Sequence, residues 1–192
     1  FDDRATGKLA EFAPFARVLH VDADAYEIGK LRTADIAVPG DVATSLKALT
    51  EARSTCDEWR KRCVGNRERF GFRYDAPGTD IYAPGLLKRL SEVAPADAIV
   101  ACDVGQHQMW VAQHCRFTHP RNHLTSGALG TMGFGLPAAM GAQFACPDRT
   151  VVLVNGDGGF MMNVQELVTI ARCQLPIKMI LLDNSSLGMV RQ

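Results

Sequence analysis

Two apolar runs in this chain end in residues able to do chemistry. Residues 150–154 (TVVLV) lead into Asn155-Gly156-Asp157-Gly158-Gly159, and residues 177–182 (IKMILL) lead into Asp183-Asn184-Ser185-Ser186. Gly156 and Gly158 allow the backbone to turn tightly and to approach a ligand. A helix from about Asn163 would offer free N–H groups and a positive dipole end to an anion. Asp157 would repel a bare phosphate, so a cation must lie between them. Mg²⁺ suits, because it takes oxygen ligands and is commonly held by one or two carboxylates together with substrate phosphates. Asn184 offers a neutral amide oxygen, and Ser186 a carbonyl in the following turn. One carboxylate, neutral oxygens and a diphosphate give a nearly balanced site.

Gly-Asp-Gly alone is more often a turn, and a lone Asp at a strand end more often a helix cap. The spacing changes the balance. Between the two runs Val164, Leu167, Val168 and Ala171 share one helical face, so the stretch reads as a βαβ unit with candidate ligands at adjacent strand ends. Residues 98–102 form a third apolar run, leading into Asp103-Val104-Gly105-Gln106-His107-Gln108. Near-continuous apolar runs separated by helical and glycine-rich segments predict a doubly wound parallel sheet covered on both faces. In such folds ligands sit beyond the carboxyl ends of the strands, so the three loops are expected to converge.

The elements carrying these loops are expected over residues 83–192, opening with a helix at Ala83-Pro84, where Pro suits the first turn. Residues 1–52 predict the end of a second α/β domain: a strand over 16–22, a helix over 25–32, an extended segment near 34–41 closed by Pro39-Gly40, and a helix from Val42 to Ala52. Residues 53–82, charged and turn-rich, read as a surface helix plus linker. The chain opens on Phe1 and stops at Gln192 directly after an apparent strand and turn, so both ends read as cut from a longer polypeptide.

Composition narrows the partners. Twenty-one basic residues balance twenty-one acidic ones, so no global field favours nucleic acid or an anionic membrane. The six cysteines form no CxxC pair and no metal-ligand spacing, which fits a reduced cytoplasmic setting. No apolar stretch approaches the length of a membrane span.

The segments FDDRATGKL, DVGQHQMWVAQH, GALGTMGFGLPAAMGAQFA and GDGG through VRQ together resemble the thiamine diphosphate-dependent enzymes. Among these they resemble the large catalytic subunit of acetolactate synthase (acetohydroxyacid synthase), most like its bacterial isozyme II type, over essentially the whole chain. The resemblance implies a truncated thiamine diphosphate-binding domain preceded by the end of an FAD-binding-type domain. It implies that Asp157, Asn184 and the backbone of Ser186 hold Mg²⁺, and that Gln106, His107, Gly158 and Gly159 line the diphosphate. Met132 would support the bent cofactor, Met189 would border the substrate pocket, and Arg4 would lie near its entrance. Asp22 and Asp41 would meet the ribose and the adenine end of an FAD with a structural role.

Two departures stand out: Gly159 where many members carry Ser, and Asp183 in place of the first Asn of the usual pair. The implied reaction joins pyruvate to a second 2-oxo acid, pyruvate or 2-oxobutyrate, with loss of CO₂, the first common step of branched-chain amino acid biosynthesis. Implied partners are a second copy of the chain, giving a homodimer or higher oligomer, and a small regulatory subunit. Another thiamine diphosphate-dependent decarboxylase or carboligase, and a non-catalytic metal- or diphosphate-binding module, are the alternatives.

Overall fold

The computed structural model describes residues 1, 3–51, 55–75 and 80–191, with the side chains of residues 3 and 4 outside the description. The chain divides into two compact units, Phe1–Gly71 and Phe72–Gln192.

The first unit holds helix α1 (Asp3–Thr6), strands β1 (Leu19–Asp22) and β2 (Ile36–Pro39), and helices α2 (Val42–Leu49) and α3 (Asp57–Arg69). β1 and β2 pair in parallel, Leu19 opposite Ile36 and Asp22 opposite Pro39. Asp41 caps α2, its carboxylate accepting from Thr44 N at 2.7 Å. α3 buries none of its residues, as its run of alternating charges predicts.

The helix expected over residues 25–32 does not form; that segment is a series of turns. The carboxylates of Asp22 and Asp24 accept from the N–H groups of Asp24 and Tyr26, both at 2.9 Å. These local bonds compete with a helical ladder. Gly29, at φ 77°, then turns the chain into the left-handed region.

The second unit contains helix α4 (Ala83–Val93), strand β3 (Ile99–Cys102), helix α5 (Gln106–His114), a 3₁₀ turn (Pro120–Asn122), strand β4 (His123–Thr125), helix α6 (Gly135–Ala145), strand β5 (Val151–Gly156), helices α7 (Asp157–Met162) and α8 (Glu166–Arg172), strand β6 (Lys178–Leu182) and helix α9 (Gly188–Arg191). The sheet order is β4-β3-β5-β6 and every pairing is parallel. β3 and β5 occupy the centre and are buried throughout, which is why their sequences are apolar without alternation. β4 has no counterpart among the expected strands. Its three residues are too short and too polar to register as a periodic run.

Alternate residues of the central strands enter opposite layers. Ile99, Ala101, Val151 and Leu153 pack with Leu136, Ala139 and Met140 of α6 and Ile170 of α8. Val100, Cys102, Val152 and Val154 pack with Leu87 of α4 and Val111 and Cys115 around α5. Leu87, Leu136 and Leu153 are fully buried, each worth roughly 1.5–3 kcal/mol relative to exposure. Residue 72 onward is tied to α5 at His114, whose Nδ1 lies 3.1 Å from the Tyr74 hydroxyl while the Phe72 ring meets it edge-on.

All six cysteines are free thiols, and burial raises the pKa of Cys102 and Cys115 above the ordinary range. Among the described residues no helix is long and apolar enough to cross a membrane.

Candidate active site

Parallel pairing brings the ends of β3, β5 and β6 to one edge of the sheet. Cys102 lies opposite Val154, and Gly156 opposite Leu182, so Asp103, Asp157 and Asp183 each follow directly on neighbouring strands. The side chain of Asn184 reaches across β5: its Nδ2 donates to Gln106 Oε1 at 3.2 Å. The loops after β3 and β6 are thereby bridged above the loop after β5. The convergence expected from the three apolar runs is present.

His107, in the first turn of α5, is buried against main chain. A Cβ added to Gly105 would lie 2.6 Å from its ring, and one added to Gly156 would lie 3.0 Å away. Burial lowers the His107 pKa, opposed by the carboxylates of Asp103 and Asp157 and by a hydrogen bond to the Asp103 backbone. The imidazole is therefore neutral near pH 7. Its Nε2 is buried and has no partner, an orphaned polar atom that a bound polar group would satisfy.

The helix expected from about Asn163 is α8, which starts at Glu166, and a separate short helix, α7, precedes it. β5 runs through Gly156, which caps α7, and Asp157 is the first helical residue, where a carboxylate complements the helix dipole. The chain breaks at 163–165 before α8 resumes. Asn163 instead binds a neighbouring loop, its Nδ2 donating to Gly133 O at 2.7 Å.

The loop after β6 is a pair of nested turns. Asp183 Oδ1 accepts from Ser185 N at 2.7 Å, and Asn184 Oδ1 accepts from Ser186 N at 3.1 Å. Ser185, at φ 51°, sits in the left-handed region between them, a conformation that costs a non-glycine residue free energy. Among the described residues no group of three His, Cys, Asp or Glu is placed to hold a metal. A cation here would have one carboxylate, Asp157, and neutral oxygens. That all-oxygen donor set suits a hard divalent cation such as Mg²⁺ shared with a diphosphate, and lacks the thiolate or imidazole ligands that zinc and copper sites use. Asn184 Oδ1 also accepts from the Ser186 hydroxyl at 3.3 Å; an amide oxygen has two lone pairs, so ligation would keep the bond from Ser186 N and displace the hydroxyl.

Met132 comes to the same place from the loop after β4. A Cβ on Gly158 would meet Leu187 Cδ2 at 2.7 Å and Met132 Cε at 3.8 Å. Gly158 thus lets the first turn of α7 lie against both side chains, forming an apolar wall beside the polar loops. Gly159 points elsewhere. It is buried, and a Cβ there would meet the Asp103 carboxylate at 3.0 Å and Asn155 Oδ1 at 3.1 Å. A side chain at 159 would enter this buried pocket beneath the loops.

Asp103 and Asn155, read from the sequence only as members of their loops, are the buried polar residues beneath the site. Both are almost wholly buried, and neither side-chain polar atom of Asn155 has a partner. The available signal is a charged or amide side chain ending an uninterrupted apolar run.

Met189 lies in α9, half-exposed and close in sequence to Leu187. The Arg4 side chain lies outside the described residues. In the first unit, Asp22 and Asp41 come together at the ends of the paired strands, with Gly40 N donating to Asp22 O at 2.9 Å. Both carboxylates have local partners. Asp22 holds the turn at Asp24, and the Thr44 amide and hydroxyl hold the Asp41 carboxyl below the usual carboxylate range.

Residues 103–192 match the C-terminal TPP binding domain of thiamine pyrophosphate enzymes, and residues 1–49 match the central domain of the same enzymes. Over its full length the chain is 58% identical to the acetolactate synthase isozyme 2 large subunit of Escherichia coli (strain K12), of which it covers 35%. It is 48% identical to the acetolactate synthase large subunit of Parasynechococcus marenigrum (strain WH8102), covering 32%. Against the chloroplastic acetolactate synthase of Arabidopsis thaliana the identity is 44% and the coverage 30%. The chain thus spans about a third of the length of these relatives.

Proposed function

From the premise that this chain belongs to the thiamine pyrophosphate enzymes, we propose that it is part of an acetolactate synthase catalytic subunit. The reaction joins pyruvate to pyruvate or 2-oxobutyrate with loss of CO₂, at the entry to branched-chain amino acid synthesis. The observation that carries this reading is the Gln106–Asn184 bridge across the Asp157 loop, because it gathers three strand-end loops around one place for a metal and a diphosphate.

Asp157 and Asn184, with the Ser186 carbonyl, would hold Mg²⁺. Gln106 and the unpartnered His107 Nε2 would face the diphosphate, and His107, being neutral, would donate or accept a hydrogen bond without adding charge. Gly158 would keep the approach open, and Met132 would form an apolar wall for the organic part of the cofactor. Thiamine diphosphate bound there supplies the electron sink that decarboxylation of a 2-oxo acid requires. The residues of this chain supply position, neutral hydrogen bonds and one charge. Gly159, directed toward Asp103 and Asn155, acts beneath the site.

Residues 1–52 would form the end of an FAD-binding-type domain and 53–82 a linker to the thiamine diphosphate domain. FAD there has a structural role, since joining two 2-oxo acids with loss of CO₂ involves no net redox change. Arg4 and Met189 would border the substrate path. Relatives named large subunits support a small regulatory subunit as partner; self-association and a cytoplasmic location belong to the same proposal. The test is formation of acetolactate from pyruvate by the full-length polypeptide, with and without thiamine diphosphate and Mg²⁺. Decarboxylation that yields only an aldehyde would overturn the reading.

A further inference from the structure

Asp103 ends the central strand β3 and is fully buried. Among the described residues its carboxylate accepts only from main chain: Oδ1 from Val104 N at 2.6 Å and Gly133 N at 3.0 Å, Oδ2 from Gly133 N at 3.1 Å and Gly135 N at 3.3 Å. Among the described residues no salt bridge engages it. The contact is as close as backbone allows, since a Cβ on Gly135 would lie 2.9 Å from Asp103 N and Cβ. Gly133 is held from its other side too, because its carbonyl accepts from Asn163 Nδ2 at 2.7 Å. A Cβ on Gly133 would lie 2.8 Å from that nitrogen, and the residue sits at φ 84°, where side chains are strained.

The residue before this clamped glycine is Met132. We propose that Asp103 and Asn163 are positioning residues that together fix the Met132 loop over the first turn of α7. Asp103 ties the loop to the end of β3, and Asn163 ties it to the end of the helix that Asp157 begins. Met132 is therefore set against the strand and the helix that carry the diphosphate loops. Val104, Gly133 and Gly135 present three donors, and only a carboxylate answers them all. An asparagine at 103 would turn an amide donor toward one of these N–H groups whichever way it lay. The significance of Met132 rests on the proposed function, but the clamp itself does not.

The test uses the full-length polypeptide labelled with ¹³C at the methionine methyls, in wild-type, Asp103→Asn and Asn163→Ala forms. Asn163→Ala opens the clamp from the half-buried side and keeps the question answerable if Asp103→Asn fails to fold. Hydrogen bonds to charged groups contribute about 1.5–3 kcal/mol, so in Asp103→Asn the amide left facing Nδ2, that of Val104 or of Gly135, should exchange roughly 10- to 100-fold faster, while Gly133 N, bonded to both oxygens in the wild type, keeps one acceptor. In a folded variant the Met132 methyl signal should move while those of Met109 and Met179 stay, and the affinity for thiamine diphosphate with Mg²⁺ should fall about tenfold. General destabilisation would not single out Met132. An unmoved Met132 methyl, or a moved one with unchanged affinity, overturns the positioning role. Failure of the wild-type full-length polypeptide to bind the cofactor would refute the proposed function instead, and the methyl and exchange comparison would still decide the clamp.

Discussion

Gly135 and Gly141 lie in the same helix, α6, and the same substitution should act on them with opposite sign. A Cβ on Gly135 would meet Asp103 Cβ and N at 2.9 Å and Asp103 Cα at 3.1 Å. Two of these three atoms are main chain at the end of the central strand, which cannot yield as a flexible side chain does. Forcing a methyl into a packed site costs about 1–3 kcal/mol, and the shift would also weaken the bond from Gly135 N to Asp103. The gain in helix propensity is below about 1 kcal/mol at a first helical position. Gly135→Ala should therefore destabilise by about 1–2 kcal/mol, a fall in Tm of about 3–10 °C for a domain of this size. Gly141 is exposed with nothing within 4 Å of an added Cβ, so Gly141→Ala should stabilise by about 0.5–1 kcal/mol. Thermal melts of both variants, followed by circular dichroism, decide the matter. Gly135→Ala as stable as Gly141→Ala would refute the close packing of the α6 start on Asp103.

Stability should also depend on pH through buried imidazoles. Burial lowers the pKa of His107 and of His123, which stacks on Phe117. Between their folded values and the unfolded value of about 6.5 the unfolded state binds more protons, so this stability is present above that pH and is lost as pH falls. Tm should drop from pH 7 to pH 5.5 and drop less in His123→Gln; equal slopes in the two proteins would remove His123 from the explanation. Gly159→Ser should be more stable than Gly159→Ala by about 0.5–1.5 kcal/mol. A hydroxyl there can donate to Asn155 Oδ1, which now has no partner, whereas the Ala methyl cannot. Urea unfolding of the two variants checks this, and an Ala variant at least as stable as the Ser variant contradicts it.

The parallel sheet and the strand-end site are readable because β3, β5 and β6 are apolar runs that stop at polar residues. The start of α7 is not, because glycines at 156, 158 and 159 suggest a loop. Here they permit close packing: Gly158 against Leu187 and Met132, Gly159 against Asp103. The turns at 25–32 read as a helix because the bonds that the carboxylates of Asp22 and Asp24 accept leave no trace in apolar periodicity. The role of Asp103 is hidden for a different reason. Its partners at Gly133 and Gly135 are backbone amides some thirty residues away, and a sequence shows side chains, not where main-chain donors gather.

The central claim is that Asp157 supplies the one charge of a metal site shared with a diphosphate, with Asn184 a neutral ligand beside it. Titration of thiamine diphosphate into the full-length polypeptide at saturating Mg²⁺ tests it most directly. Asp157→Ala should abolish Mg²⁺-dependent binding, since the affinity of an oxygen-ligated divalent cation depends strongly on its carboxylate. Asn184→Ala should weaken binding less. Wild-type affinity in Asp157→Ala would contradict the account and would mean that the loop after β5 does not hold the metal.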